Sequence, residues 1–218
     1  MKSKFVSVSR DMRKKFKDIE LVYRILKKES KEGSYLAKVE YQVILKSSIL
    51  LMLYNAVEGT MSSIMERFFD SIQDEDISLD KMNDTLKNLF YGYHLKTIKG
   101  IKDLRKFKKY DEFSIYSVSY KEMDKQHKFF SGNLDAKEIK KVLKSIGIST
   151  NDAFKESALK EIKDKRNALA HGEISFSEAS QKYTNRELLG ICVKTYFFLK
   201  KTIDLCEKAL NRMERDVV

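Results

Sequence analysis

The segment from Arg166 to Gly172 places a cation, an amide and an imidazole within six consecutive residues, Arg-Asn-Ala-Leu-Ala-His. A guanidinium binds phosphate oxygens through two parallel hydrogen bonds, and an imidazole transfers protons near neutral pH. No other stretch of the sequence combines three such groups so closely. In a basic chain, these side chains at this spacing indicate cleavage of RNA without a metal ion.

The geometry of a helix brings these groups together. Asn167 and His171 are four residues apart, so they share one face of a predicted helix. Arg166 lies about 140° around the helix axis from His171, and its long side chain reaches toward the same space. Gly172 adopts left-handed backbone easily, so the helix is predicted to end there, with His171 in its last turn.

Cleavage of RNA by its own 2′-hydroxyl requires a base, an acid and positive charge near the phosphorus. His171 is the candidate for proton transfer, Arg166 for charge stabilisation, and Asn167 for orienting His171 or the phosphate. One histidine does not readily serve as acid and base at once, so the chemistry favours a symmetric homodimer that supplies two. The structural alternative is a capped helix end, with Arg166 on the surface and His171 bound to a carbonyl.

The bulk composition predicts a helical globular protein. The chain has 218 residues, which fits one large or two small domains, and it contains no proline. With 43 basic and 32 acidic residues it carries a net charge of +11. This charge favours an anionic partner, nucleic acid or a membrane surface, although lysine-rich composition that serves only solubility is the alternative.

The sequence also predicts where the protein is located and whether it needs a cofactor. It has no run of 18 uncharged apolar residues and no secretory signal, so we expect a cytoplasmic protein with no membrane contact. Cys192 and Cys206 fall on one predicted helix, about 21 Å apart, and are expected to be reduced. No phosphate-binding loop, serine elbow or zinc motif is present, so we predict no cofactor and no metal site.

Apolar periodicity and capping residues predict most of the secondary structure. An amphipathic helix is expected over 10–30 and a long buried one over 37–72. Capping sequences that begin at Asp135, Ser175 and Thr184 open three further helices. Alternation over 113–120 indicates a short strand or hairpin. We also expect helices over 78–91 and over 152–171, the latter carrying the Arg166–His171 segment.

Residues 73–132 are interpreted as an insertion in a single helical domain spanning 1–218. This insertion contains a basic run with aromatic residues interleaved, which is a candidate RNA-binding surface; a solvated helix face is an equally good interpretation. Its histidines, His94 and His127, are expected to be structural or on the surface. The basic residues proposed to contact RNA are Lys99, Lys102, Arg105, Lys106 and Lys108.

The string from Arg166 to Gly172 resembles the Arg-x4–6-His motif of HEPN domains (higher eukaryotes and prokaryotes nucleotide-binding). Segments 131–135, 147–148 and 171–178 resemble the bacterial HEPN-like nucleases associated with restriction and phage defence. The resemblance is clearest over 130–200 and absent over 73–128. It implies an all-α HEPN-like bundle that dimerises and cleaves RNA without metal to leave a 2′,3′-cyclic phosphate.

By that resemblance, Arg166, Asn167 and His171 carry over as the catalytic residues. HEPN domains often place another polar residue on an earlier long helix, where Asn55 and Glu58 are candidates. Glu58 either pairs with Arg166 or lies on a solvated stripe. The leading interpretation is an endoribonuclease acting as a toxin or phage-defence effector, with an antitoxin or defence-system protein as partner. The alternatives are a non-catalytic RNA-binding or scaffold HEPN module in a defence complex, and a helical dimer partner.

Overall fold

A computed structural model describes residues 3–29, 39–97, 118–130, 132–150 and 157–215. Within these ranges the chain forms α-helices and one 3-10 turn at Leu79–Lys81, without a strand, so the predicted all-α architecture is confirmed. The helices are α1 (Val6–Glu29), α2 (Val39–Asp74), α3 (Asp84–Thr97), α4 (Tyr120–His127), α5 (Ala136–Ser145), α6 (Ser157–Ala170), α7 (Phe176–Ser180) and α8 (Asn185–Arg215).

The long helix α2 is the centre of the bundle. It packs against α1, α4, α6, α7 and α8. Its middle is apolar on most sides, and Ile49, Leu53 and Tyr54 are completely buried there. Burial of this kind stabilises a helix mainly through tertiary packing, and the predicted central helix is confirmed.

Two clusters of buried side chains form the core, and α6 lies where they meet. One cluster contains the C-terminal half of α2 with α3, α4, α5 and the end of α8, and α6 contributes Leu159 to it. The other contains the first half of α2 with α1 and the start of α8, and α6 contributes Ala158 and Ile162. These three residues anchor the first half of α6, so its C-terminal half extends beyond the core.

The predicted capping sequences begin the helices expected of them. The Asp135 carboxylate accepts hydrogen bonds from the first turn of α5. Ser175 and Glu178 form a reciprocal capping box at α7, and Thr184 forms the same arrangement at α8. The start predicted for the helix carrying Arg166 falls within 151–156, outside the described residues, and α6 is described from Ser157.

Two helix starts differ from the predictions. α1 begins at Val6 rather than near residue 10, because Phe5 is completely buried and holds the start of the helix in the core. α3 begins at Asp84 rather than Ser78, because the Asn83 side chain accepts the N–H of Leu86 and residues 79–81 form a separate 3-10 turn.

The strand predicted over 113–120 is wrong at its last residues, where a helix begins. Residues 113–117 lie outside the described residues, but Ser119 and Glu122 form a capping box and α4 begins at Tyr120. The capping interaction satisfies the first N–H groups of a helix, and it outweighs the alternating pattern of the preceding residues. Tyr120 then packs against Phe69 and Phe129 in the core.

Both cysteines lie buried on α8 as free thiols, which agrees with the reduced state expected. Burial raises the pKa of Cys192 and of Cys206 to about 12. The described helices include none with an apolar stretch long enough to cross a bilayer.

Candidate active site

The C-terminal end of α6 is closed by backbone hydrogen bonds around Gly172. The N–H of Gly172 donates to the carbonyl of Leu169 at 3.2 Å, and the N–H of Glu173 donates to that of Ala168 at 2.9 Å. Gly172 has a φ of +69°, the left-handed conformation that this helix ending requires. The predicted stop is confirmed, and it fixes the backbone of His171 at the last turn.

Arg166 is held by three groups. Its Nη1 donates to Asn167 Oδ1 at 2.9 Å and makes a long hydrogen bond of 3.5 Å to the Gly132 carbonyl. Its Cζ lies 4.6 Å from the centre of the Tyr54 ring, within the range of a cation–π interaction. The guanidinium is half-buried, so these contacts fix its position while part of it stays open to solvent.

Tyr54 connects α2 to this site. Its ring is completely buried, and its hydroxyl accepts the N–H of Leu134 at 3.3 Å. The same hydroxyl lies 2.6 Å from the Gly132 carbonyl and 2.9 Å from Glu58 Oε1, and its single proton is shared between these acceptors. Burial is the main cause that raises the pKa of Tyr54 to about 12, so the hydroxyl remains a donor near neutral pH.

Residues 132–135, here called the 132–135 loop, form the opposite wall of the site. Lys163 Nζ lies 2.7 Å from Asp135 Oδ2 and ties the loop to α6. Asp135 Oδ1 accepts the N–H groups of Lys137 and Glu138 and so caps α5. Burial acts to raise the pKa of Asp135, but the hydrogen bonds from Lys163 and the backbone outweigh it, and the pKa is lowered.

Asn133 extends the same wall to the surface. Its Oδ1 accepts a hydrogen bond of 2.7 Å from Asn167 Nδ2, and the Asn133 side chain is exposed. One cation–π contact and two hydrogen bonds therefore run in succession from Tyr54 on α2 through Arg166 and Asn167 to Asn133 at the surface. The 132–135 loop is therefore joined to α6 by Lys163, Arg166 and Asn167, which lie on neighbouring turns.

His171 is placed differently from Arg166. Its side chain is exposed, and no described residue forms a hydrogen bond with its imidazole. It lies one helical turn beyond Asn167, as its spacing predicted, since its N–H donates to the Asn167 carbonyl at 2.9 Å. A single chain thus fixes the guanidinium firmly and leaves the imidazole without an orienting partner among the described residues.

Residues 6–214 match the family described as HEPN_MAE_28990-like HEPN. The chain belongs to this HEPN family. Membership associates it with RNA-related and nuclease-type modules. The match also spans 73–128, where the sequence resemblance was absent, and no significant match was found among curated proteins or solved structures.

The supporting residues predicted on α2 have different positions in this HEPN chain. Glu58 accepts the Tyr54 hydroxyl and forms no ion pair with Arg166, so the two are joined only through the tyrosine. Asn55 is exposed on α2, and none of the described residues forms a side-chain hydrogen bond with it. Glu58 thus belongs to the hydrogen-bond network around Tyr54, and Asn55 lies outside it.

The predicted RNA-binding run falls outside the described residues, and this includes Lys99, Lys102, Arg105, Lys106 and Lys108. The other two histidines make ring contacts: His94 with Tyr93 and His127 with Phe129. Among the described residues, no group of three or more His, Cys, Asp or Glu side chains is arranged to hold a metal ion.

The sequence alone did not predict that Tyr54, Asn133 and the Asp135–Lys163 pair surround Arg166. Tyr54 lies in a strongly apolar run, where a tyrosine is normally interpreted as core. Asp135 was recognised only as a cap, although an N-cap carboxylate also offers a second oxygen for a cation. The resemblance of the 131–135 segment was the one signal that pointed toward Asn133.

Proposed function

We propose that this HEPN chain is a metal-independent endoribonuclease that acts as a toxin or phage-defence effector. The observation that carries the proposal is the fixed guanidinium of Arg166, 2.9 Å from Asn167 Oδ1 and 4.6 Å from the centre of the Tyr54 ring. A cation held in this way stabilises developing negative charge with little reorganisation during the reaction. The exposed imidazole of His171, at the end of the same helix, supplies proton transfer.

The reaction uses the nucleophile that RNA itself carries. The 2′-oxygen attacks the adjacent phosphorus, so the P–O2′ bond forms while the P–O5′ bond breaks. A base accepts the 2′-hydroxyl proton, and an acid gives a proton to the leaving 5′-oxygen. The products are a 2′,3′-cyclic phosphate and a 5′-hydroxyl. Arg166 binds the non-bridging oxygens, whose charge increases in the transition state.

The need for both an acid and a base favours a homodimer in which the ends of two α6 helices form one site. One protomer supplies one His171, and a two-fold axis through the site supplies the second. A partner chain also provides what His171 lacks within the described residues, namely a group to orient its imidazole. In this arrangement Arg166 of each protomer contacts the same phosphate region.

Cleavage of RNA in the presence of EDTA tests the enzymatic assignment. We expect wild type to cut single-stranded RNA and leave cyclic phosphate ends, and His171→Ala to lose at least about 100-fold of the rate, the lower range for general acid–base catalysis. His94→Ala, which removes a half-buried histidine of α3 outside the site, is the control and should retain activity. Equal rates for wild type and His171→Ala would remove His171 from the mechanism.

Subunit mixing tests the composite site. Wild type and His171→Ala are mixed in equal amounts and allowed to exchange. If each cleavage needs two His171 side chains, activity falls to about a quarter of the pure wild-type value, the fraction of dimers with both. If each protomer acts alone, activity falls to about half. A linear dependence on the wild-type fraction, or a monomer at micromolar concentration in light scattering, would contradict the dimeric site.

The role as toxin or defence effector predicts harm to the host cell. Induced expression of wild type should arrest growth with loss of cellular RNA, whereas His171→Ala expressed at the same level should not. An antitoxin or defence-system partner would relieve the arrest when co-expressed. Growth that continues in the presence of active, soluble wild type would contradict the toxin role and leave the nuclease assignment to the cleavage assay.

A second candidate is a non-catalytic RNA-binding or scaffold HEPN module within a defence complex. The observation that favours it is the exposed His171 imidazole, which no described residue orients. This function predicts that wild type binds RNA but cuts no substrate, and that His171→Ala binds as tightly as wild type.

A further inference from the structure

A chain of hydrogen bonds fixes the orientation of two side-chain amides at the edge of the site. Arg166 has only donors, so the Asn167 atom 2.9 Å from its Nη1 must be the acceptor, Oδ1. Asn167 therefore turns its NH2 group toward Asn133, at a distance of 2.7 Å. Asn133 must accept through Oδ1, and this leaves its own NH2 group free of described partners.

The position of Asn133 is fixed from both sides. On one side, Tyr54 binds the backbone of Gly132 and Leu134, the residues before and after it. On the other, Asp135 is tied to Lys163 at 2.7 Å. The exposed NH2 group of Asn133 is thus a preorganised donor at the surface, two hydrogen bonds away from the Arg166 guanidinium.

We propose that Asn133 contacts the substrate, with its NH2 group donating to a non-bridging phosphate oxygen of the bound RNA. The inference rests on the proposed function, because it takes RNA as the ligand of the Arg166 site. Both groups on this edge, the guanidinium and the outward amide, offer donors alone. A phosphate offers acceptors alone, whereas a base edge presents a mixture that depends on its identity.

The substitution Asn133→Asp isolates the outward donor. A carboxylate at this position still accepts from Asn167 Nδ2, so the chain to Arg166 persists, but the outward group becomes an anion. Asn88→Asp is the matched control, since it makes the same change of charge at an exposed asparagine of α3 outside the site. Both substitutions are made in the His171→Ala background to keep the RNA intact, and the Kd is measured for mixed-sequence RNA and for four homopolymers.

We expect Asn133→Ala to raise the Kd about three- to tenfold for every RNA, the range for an ordinary net hydrogen bond. Asn133→Asp should raise it about tenfold or more, because the carboxylate also repels the phosphate. Asn88→Asp should change it less than about twofold. An Asn133→Asp protein that is folded and binds like the control overturns the proposal. A loss confined to one homopolymer overturns the phosphate contact and assigns Asn133 to a base edge.

These results separate the inference from the function on which it rests. RNA binding that is unaffected by Asn133→Asp, together with metal-free cleavage by wild type, rejects the role of Asn133 alone. Absence of RNA binding by the parent protein rejects both. Weaker binding by Asn133→Asp without cleavage by wild type supports the Asn133 contact and favours the non-catalytic module.

Discussion

Removal of a single oxygen from Tyr54 tests whether this residue supports the site. Tyr54→Phe keeps the ring under Arg166, so the cation–π contact at 4.6 Å remains. It removes the hydroxyl that accepts from Leu134 and donates to Gly132 or Glu58. The substitution therefore acts on the attachment of the 132–135 loop to α2 and leaves the packing volume nearly unchanged.

The expected loss of stability follows from what each former partner can do without the hydroxyl. The buried N–H of Leu134 has no other partner among the described residues, and leaving it unpaired costs about 1–3 kcal/mol. The carbonyl of Gly132 keeps its 3.5 Å contact with Arg166, and the half-buried carboxylate of Glu58 turns to water, so these add little. We expect Tyr54→Phe to lower the free energy of unfolding by about 2 kcal/mol.

Urea unfolding followed by circular dichroism measures this loss. The midpoint should fall while the m-value stays constant, because the exposed surface does not change. Tyr183→Phe is the matched control: its hydroxyl binds Glu161 at the surface, and its loss should cost less than about 1 kcal/mol. Equal effects for the two variants would refute the reasoning. Cleavage by folded Tyr54→Phe should fall more than cleavage by Tyr183→Phe.

Two further predictions concern the same framework. The lowered pKa of Asp135 stabilises the fold above the ordinary carboxyl value of 3.8, and this stabilisation is lost as the pH falls through the lowered pKa. Asp135→Asn should therefore cost about 1–3 kcal/mol at pH 7, and this cost should shrink as the pH is lowered below 3.8 in unfolding measurements; a cost that does not change with pH would contradict the Lys163 pairing. Gly172→Ala should cost about 1 kcal/mol for its positive φ alone, since an added Cβ meets nothing within 4 Å. Gly147→Ala should cost more in the same assay, because its Cβ would lie 2.0 Å from Asn83 Oδ1, and equal losses would refute the steric argument.

The helices could largely be predicted because their signals are local. Asp135, Ser175 and Thr184 each act on residues within the next turn, and each begins the helix expected of it. The failure at α4 has the same origin, since Ser119 and Glu122 follow the rule that identified the others. These two residues come at the end of an alternating segment, and the alternation alone led to the strand prediction.

In the candidate site, too, the features that depend on neighbouring residues could be predicted and those that depend on distant residues could not. The end of α6 at Gly172 and the shared face of Asn167 and His171 depend only on neighbouring residues, and they could be predicted. The contacts that hold Arg166 could not, because they depend on how α2 and the 132–135 loop pack. Tyr54 and Gly132 are 78 residues apart, and no periodicity relates them.

The proposed mechanism gives a physical reason why Arg166 is held by several contacts whereas His171 is exposed. Charge stabilisation gains most from a cation that is already in place, and Arg166 has three contacts that fix it. Proton transfer needs an imidazole close to two oxygens that move apart during the reaction, one entering and one leaving. Two exposed His171 side chains on opposite sides of a two-fold axis meet that need, and a chain that held its only His171 rigidly would not. Asn167 accepts from Arg166 through its side chain and from the N–H of His171 through its carbonyl, so under this mechanism it links the fixed charge to the acid or base.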